Sequence, residues 1–266
     1  MRCVVCIKQV PSTTKVKLDP VTKTIIRDAR QSVVNPFDAY AIEEAVRVKE
    51  KTNGSVSVLS MGIPATERLL RDAVARGADR ALLLSDRAFA GADTLATSYT
   101  LSLGIRRLGA FDLIFCGKMA VDGDTAQIGP ELAETLGIPH VTDVTEILEL
   151  GEKEIKVRRA TDEGYEILKV TLPALLCVVK DINMPRMPSI AGIRYSQAAP
   201  FEVLGAEALS ADIARTGLDG SPTQVVHTFT PERAGECVQI DGDCKTQAVK
   251  MLGLIAAETK TAEGGN

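Results

Sequence analysis

Short apolar runs alternate with longer amphipathic stretches over the first half of the chain. Residues 2–7, 55–60, 81–84 and 113–116 read as buried strands, each dominated by apolar side chains. Between them, residues 35–50, 66–76 and 93–108 read as helices. In the first of these, Phe37, Ala41, Ile42, Ala45 and Val46 recur at helical spacing. Residues 125–136 read as a fourth helix, and Gly77 and Gly137 stand where helices characteristically end. Strand and helix alternating at this spacing predict right-handed β-α-β units and a parallel sheet.

After Gly137 the period shortens. Residues 141–150, 154–160, 165–169 and 174–180 are strand-like and joined by turn signals such as Gly151-Glu152 and Asp162-Glu163-Gly164, which predicts added hairpins. From Asp181 onward, Pro185, Pro188, Pro200, Pro222 and Pro231 break the pattern. Helical stretches are expected only near residues 206–215 and 245–259, with the last five residues frayed. The expectation is an α/β fold: a Rossmann-like parallel sheet with helices on both faces, added antiparallel hairpins and an extended C-terminal arm. Residues 1–184 form the α/β domain in this reading, and residues 185–266 form an arm suited to wrapping a partner.

Composition narrows the function classes. Apolar residues make up 45% of the 266, enough for a normal core. Lys+Arg is 31 against Asp+Glu 35, a net charge of −4 that argues against broad nucleic-acid binding. No apolar run approaches the ~20 residues of a membrane span, and residues 1–6 carry no secretory pattern. Six cysteines are too few for a disulfide scaffold at this length, so a cytoplasmic protein with reduced thiols is expected. Cys3 and Cys6 are three apart on a strand, pointing to opposite faces, which disfavours a shared metal. The two histidines, His140 and His227, exclude a His-rich metal site. No nucleophile with a base and an orienter is legible, so no catalytic or metal-ligating residue is assigned.

The chemistry falls in the loops beyond the carboxyl ends of the strands, where parallel α/β sheets bind ligands. The most informative runs Cys116-Gly117-Lys118-Met119-Ala120-Val121-Asp122-Gly123-Asp124-Thr125-Ala126-Gln127-Ile128-Gly129-Pro130. Its glycines let backbone amides approach a ligand, and Thr125 and Gln127 stand near a helix start that favours phosphate. A capping box of Asp124 and Gln127 accounts for two of these residues without a ligand. In the preceding loop Asp93 is a natural N-cap, and Thr94, Thr97 and Ser98 share a helical face suited to a phosphate or a polyol, or simply to solvent. Asn35 and Pro36 open the first long helix as N-cap and first-turn residue, and Glu43 and Glu44 on it are expected to be solvated. Neither the G-x-G-x-x-G fingerprint nor the P-loop is present.

Four segments together carry a resemblance: residues 6–11, 35–45, 76–81 and 122–130, supported by residues 172–176 and 220–225. In order and spacing they resemble the beta subunit of an electron-transfer flavoprotein, over about residues 2–231. The resemblance implies a heterodimer with an alpha subunit that carries one FAD, and a second adenine nucleotide in the beta subunit. That nucleotide is AMP in simple carriers. In bifurcating members it is an FAD that accepts a hydride from NADH and splits the electron pair. The stretch from Val121 to Gly129 resembles the bifurcating version, with Gly123 and Ala126 leaving room for a pyrophosphate and its extension. Lys118-Met119 departs from the usual pattern. The implied nucleotide-binding residues are Val10, Asn35, Ser60, Met61, Thr94, Thr97, Asp122, Gly123, Asp124, Thr125, Ala126, Gln127, Ile128 and Gly129. Lys8 closes the mouth of the site.

The segment Asn183-Met184-Pro185-Arg186-Met187-Pro188-Ser189-Ile190-Ala191-Gly192-Ile193 is similar to the family's recognition loop. There Ile190 is the aliphatic anchor for an acyl-CoA dehydrogenase, held on an extended loop by prolines; a buried Ile in an irregular loop is the alternative. The implied partners are the alpha subunit, an acyl-CoA or other dehydrogenase, and ferredoxin or flavodoxin. A carrier with structural AMP is the second reading, and an ATP-dependent α/β enzyme a distant third.

Overall fold

The computed structural model describes residues 1–12, 32–226 and 239–263. His227, Pro231, Cys237 and residues 264–266 lie outside the described residues. Two compact units run Met1–Val225 and Val226–Asn266.

Strand β1 (Arg2–Cys6) occupies the middle of the first unit. A short antiparallel pair, β2 (Gln9–Pro11) and β3 (Ser32–Val34), leads to helix α1 (Pro36–Thr52). Then follow β4 (Ser55–Met61), α2 (Glu67–Ala75), β5 (Arg80–Leu84), α3 (Thr94–Leu108), β6 (Leu113–Gly117) and α4 (Ile128–Leu136). The strands β7 (His140–Leu150), β8 (Glu154–Thr161), β9 (Gly164–Thr171) and β10 (Ala174–Val178) come next, then α5 (Ile190–Ala198) and β11 (Phe201–Leu204). The main sheet has nine strands in the order β11-β5-β4-β1-β6-β10-β7-β8-β9. All pairs are parallel except β7–β8 and β8–β9, so the expected hairpins extend one edge of a parallel sheet.

The central parallel strands β1, β4, β5, β6 and β10 are buried on both faces, as parallel sheets require, whereas β7, β8, β9 and the edge strand β11 are largely half-buried or exposed. Cys3 and Val5 join Ile42, Leu70, Phe115 and Leu176 in the core beneath α1 and α2. Val4 and Cys6 join Ile105, Ile114, Leu132 and Leu175 beneath α3 and α4. Cys3 and Cys6 therefore do point to opposite faces. Burial pushes the Cys3 thiol up to about 12, which keeps it protonated.

Three local readings change. The fourth helix starts at Ile128, not at Thr125, because Asp124 and Ala126 both adopt φ 54, outside any right-handed helix. Residues 206–215 form turns and one 3₁₀ turn at Ile213–Arg215, broken at Ser210 with φ 50. The segment expected to be irregular after Pro188 is helical from Ile190, with the Ser189 hydroxyl accepting from the Gly192 amide at 2.9 Å. In the second unit, α6 (Cys244–Glu263) covers the expected terminal helix.

Candidate functional site

β1 lies between β4 and β6, so the connections from it and from β6 diverge on opposite sides of one crevice. Such a switch point is where open α/β sheets bind ligands. The crevice is knitted by Asp38 in the first turn of α1 and Asn35 just before it. Asp38 Oδ2 accepts from the Lys8 amide at 2.7 Å, and its Oδ1 accepts from the Gly117 amide at 3.2 Å and Asn35 Nδ2 at 2.9 Å. Asn35 Nδ2 also donates to the Met119 carbonyl at 2.8 Å, and the Val121 amide donates to Asn35 Oδ1 at 3.2 Å. Two side chains at one helix start thus fix the loops that follow β1 and β6. Gly117 is required here, since a Cβ would lie 2.5 Å from Asp38 Oδ1 and 2.6 Å from Phe37 Cβ. Burial pushes Asp38 up to about 7, against the pull of its three donors.

The loop beyond β6 is open. Lys8 Nζ donates to Asp122 Oδ1 at 2.6 Å, so an ion pair spans the crevice. A Cβ on Gly123 would meet only Lys8 Nζ, at 3.9 Å, so space lies beside the backbone here. The left-handed Asp124 and Ala126 turn the chain so that the amides of Thr125, Ala126 and Gln127 meet no backbone acceptor among the described residues. Turns of this kind make anion-binding concavities. A left-handed alanine costs roughly 1–2 kcal/mol, and such strain collects at ligand sites. The capping box does not form, because α4 has Gln127 at its N-cap without a side-chain bond. Gln127 Oε1 instead accepts from Thr94 Oγ1 at 3.2 Å.

Ile128 and Gly129 serve packing. Ile128 packs on the core beneath α4, and a Cβ on Gly129 would lie 2.2 Å from Cys177 Sγ. Gly129→Ala is therefore expected to destabilise the fold by about 1–3 kcal/mol through overpacking. A thermal melt with an unshifted midpoint would refute this.

The start of α3 closes the same crevice. Asp93 caps it through the Ala96 amide at 3.0 Å and accepts from Thr223 Oγ1 at 2.8 Å. The single Thr94 hydroxyl proton is shared between Gln127 Oε1 and Glu131 Oε1, the latter at 3.0 Å, and burial with the nearby Asp93 charge raises the Glu131 carboxyl above the usual range. Thr94 and Thr97 are half-buried, while Ser98 is fully buried and spends its hydroxyl on the Leu95 carbonyl. The hydroxyl face is therefore Thr94 and Thr97. Ser60 is fully buried at the end of β4, and its Oγ has no partner among the described residues. Val10 is buried in β2, and Met61 ends β4 half-buried. The site thus has amides, hydroxyls, one orphaned buried hydroxyl and a cation, which fits a phosphorylated nucleoside. A groove of about 480 Å³ between α1, α2 and α5 holds none of these residues. No cluster of metal-ligating side chains occurs among the described residues.

A family model described as the electron transfer flavoprotein domain matches residues 22–209. The chain belongs to the electron transfer flavoprotein family. An electron transfer flavoprotein subunit beta of Thermoanaerobacterium thermosaccharolyticum is 52% identical, over 89% of this chain and 91% of its own. A caffeyl-CoA reductase–Etf complex subunit, CarD, of Acetobacterium woodii is 44% identical over 98% of both chains. Protein FixA of Azorhizobium caulinodans is 41% identical over 91% of this chain and 89% of its own. The resemblance read from the sequence is thereby established at the level of the beta-subunit family, whose work is electron transfer.

This electron transfer flavoprotein chain also differs from expectation at Glu43 and Glu44. Both are buried, not solvated. Glu43 takes Arg47 Nε at 2.9 Å and Arg186 Nε at 2.8 Å, and Glu44 Oε2 takes Asn183 Nδ2 at 3.0 Å. Burial works against the Glu43 charge, but the Arg186 and Arg47 guanidinium groups hold its carboxyl below the usual range. Ile190 is 76% exposed, which removes the reading of a buried Ile. His140 is exposed at the start of β7. Among the described residues no helix is long and apolar enough to cross a membrane.

Proposed function

We propose that this chain is the FAD-binding beta subunit of an NADH-dependent, electron-bifurcating electron transfer flavoprotein. It works as a heterodimer with an FAD-carrying alpha subunit, in the cytoplasm, and feeds a ferredoxin or flavodoxin and an acyl-CoA or other dehydrogenase. FAD, when bound, supplies hydride acceptance and its division into single electrons. The observation that carries the reading is the turn at Gly123–Ala126, open beside Gly123 and lined by amides without a backbone acceptor. It supports a pyrophosphate with a long extension. Thr94 and Thr97 face that extension, Ser60 and Val10 meet the adenosine, and Asn35 acts by holding the loop at Met119 and Val121. Lys8, now paired with Asp122, is the nearby cation for phosphate. The printed name of CarD, a caffeyl-CoA reductase–Etf complex subunit, supports a partner acting on CoA thioesters.

One observation favours the AMP-binding, non-bifurcating alternative: the inward hydroxyl of Ser98 shortens the polar face. The two readings separate on nucleotide content. The chain co-expressed with its alpha subunit is expected to release two FAD and no AMP per heterodimer on denaturation, and to oxidise NADH. One FAD with one AMP would overturn bifurcation and leave the carrier.

A further inference from the structure

The segment before α5 is stitched to α1 from far along the chain. Arg186 donates from Nε to Glu43 Oε2 at 2.8 Å and from Nη2 to Glu43 Oε1 at 3.2 Å. Its other edge donates to Glu50, Nη1 to Oε1 at 2.5 Å and Nη2 to Oε2 at 3.0 Å. The Arg186 amide also donates to Glu43 Oε2 at 3.1 Å, and the Arg186 carbonyl accepts from Arg76 Nη1 on α2 at 2.9 Å. Asn183 Nδ2 reaches the Tyr40 carbonyl and Glu44 Oε2, both at 3.0 Å. One planar guanidinium thus spans two carboxylates about two turns apart on α1, a forked geometry that lysine cannot reproduce.

What this anchorage holds outward is apolar. Met184 is 82% exposed, Met187 81% and Ile190 76%, while the residue between the two methionines that faces inward is Arg186. Free apolar side chains on an unanchored proline-containing segment would lose rotamer and backbone freedom on docking; an anchored one has lost part of it beforehand. Methionine adds a flexible, polarizable surface that adapts to more than one pocket.

We propose that Arg186 is the positioning residue for partner docking: by bridging Glu43 and Glu50 on α1 it presents Met184, Met187 and Ile190 together as one preorganised apolar plug for a pocket on the dehydrogenase. This rests on the reading of Ile190 as the docking residue, and deepens it by naming two further anchors and the device that holds them. Arg186 touches neither nucleotide nor reacting atoms. Its effect is on the strength of docking and not on the rate once docked.

The test uses the whole heterodimer and a purified acyl-CoA dehydrogenase that reduces it. Arg186→Ala is expected to raise the KM for the heterodimer roughly tenfold, with kcat and nucleotide content unchanged, a factor of ten being about 1.4 kcal/mol. Arg186→Lys restores part of the loss. Glu50→Gln, at an exposed arm of the clamp, raises KM by a smaller factor without risk to the fold. Amide hydrogen exchange over residues 184–192 is expected to speed up in all three. Met184→Ser with Met187→Ser raises KM while leaving that exchange as in the wild type. An unchanged KM in Arg186→Ala and Glu50→Gln, with Ile190→Ala still raising it, would overturn the clamp and spare the docking reading. A raised KM without faster exchange would also overturn it, since Arg186 would then act by contact. If Ile190→Ala leaves KM unchanged, the docking reading itself fails, and the clamp proposal with it.

Discussion

Asp38→Asn is expected to abolish a steep pH dependence of stability that is expected of the wild-type protein between about pH 4 and pH 7. Asp38 titrates near its ordinary 3.8 in the unfolded chain and near 7 in the fold, where burial disfavours the charge. The folded state therefore binds the proton more tightly, and stability falls as pH rises through that window. Its contribution is fully present below the unfolded value and lost above the folded one. A rise from 3.8 to about 7, at about 1.36 kcal/mol per pH unit, gives about 4 kcal/mol. Asparagine removes the titration. It also turns an amide N–H₂ toward one of the three donors that converge on the carboxylate, from Lys8, Gly117 and Asn35. A buried donor left unpaired costs about 1–3 kcal/mol, so the variant is also less stable than the wild type at pH 5. Thermal midpoints of both proteins across pH 4–8 check this. Parallel profiles would mean that Asp38 does not titrate as its burial implies. Because Asp38 and Asn35 together hold the loops after β1 and β6, the same variant is expected to retain less nucleotide on gel filtration.

The second large effect concerns which nucleotide is held. Gly123→Asp combined with Ala126→Asn is expected to weaken FAD retention by roughly a hundredfold, about 2.7 kcal/mol, while the fold keeps its thermal midpoint. The fold tolerates both changes. A Cβ at Gly123 meets nothing closer than Lys8 Nζ at 3.9 Å, and asparagine accepts φ 54 at position 126 better than alanine does. The new carboxylate fills the space proposed for the pyrophosphate and competes for Lys8, already bonded to Asp122 at 2.6 Å. AMP, with one phosphate and no extension, suffers less. The ratio of FAD to AMP released on denaturation is the measurement. An unchanged ratio would remove Gly123 and Ala126 from the nucleotide choice.

The fold was largely legible because its signals are local and repeated. The run Cys3–Cys6 is apolar throughout and is buried on both faces, and α1 follows the spacing of Ala41, Ile42, Ala45 and Val46. What escaped was short or nonlocal. β2 and β3 have three residues each and β11 four, too few for a period to show. The Asp124–Gln127 pattern matched a capping box, yet the left-handed backbone at Asp124 and Ala126 and the bond from Thr94 to Gln127 decided otherwise. Glu43 and Glu44 looked like ordinary solvated helix positions. Their partners, Arg186 and Asn183, come 143 and 139 residues later.

Sequence alone determined the alternation of strand and helix, the parallel sheet with its hairpin edge, and the family. Each of these rests on periodicity or on ordered motifs, which a one-dimensional string preserves. Tertiary structure decided what those residues do within the loops. Asn35 is a tie between loops, Gly129 a close contact with Cys177, Ser98 an inward hydroxyl and Arg186 a bridge between two carboxylates. These roles depend on which distant groups meet at hydrogen-bond distance, and that is set by how helices dock on the sheet.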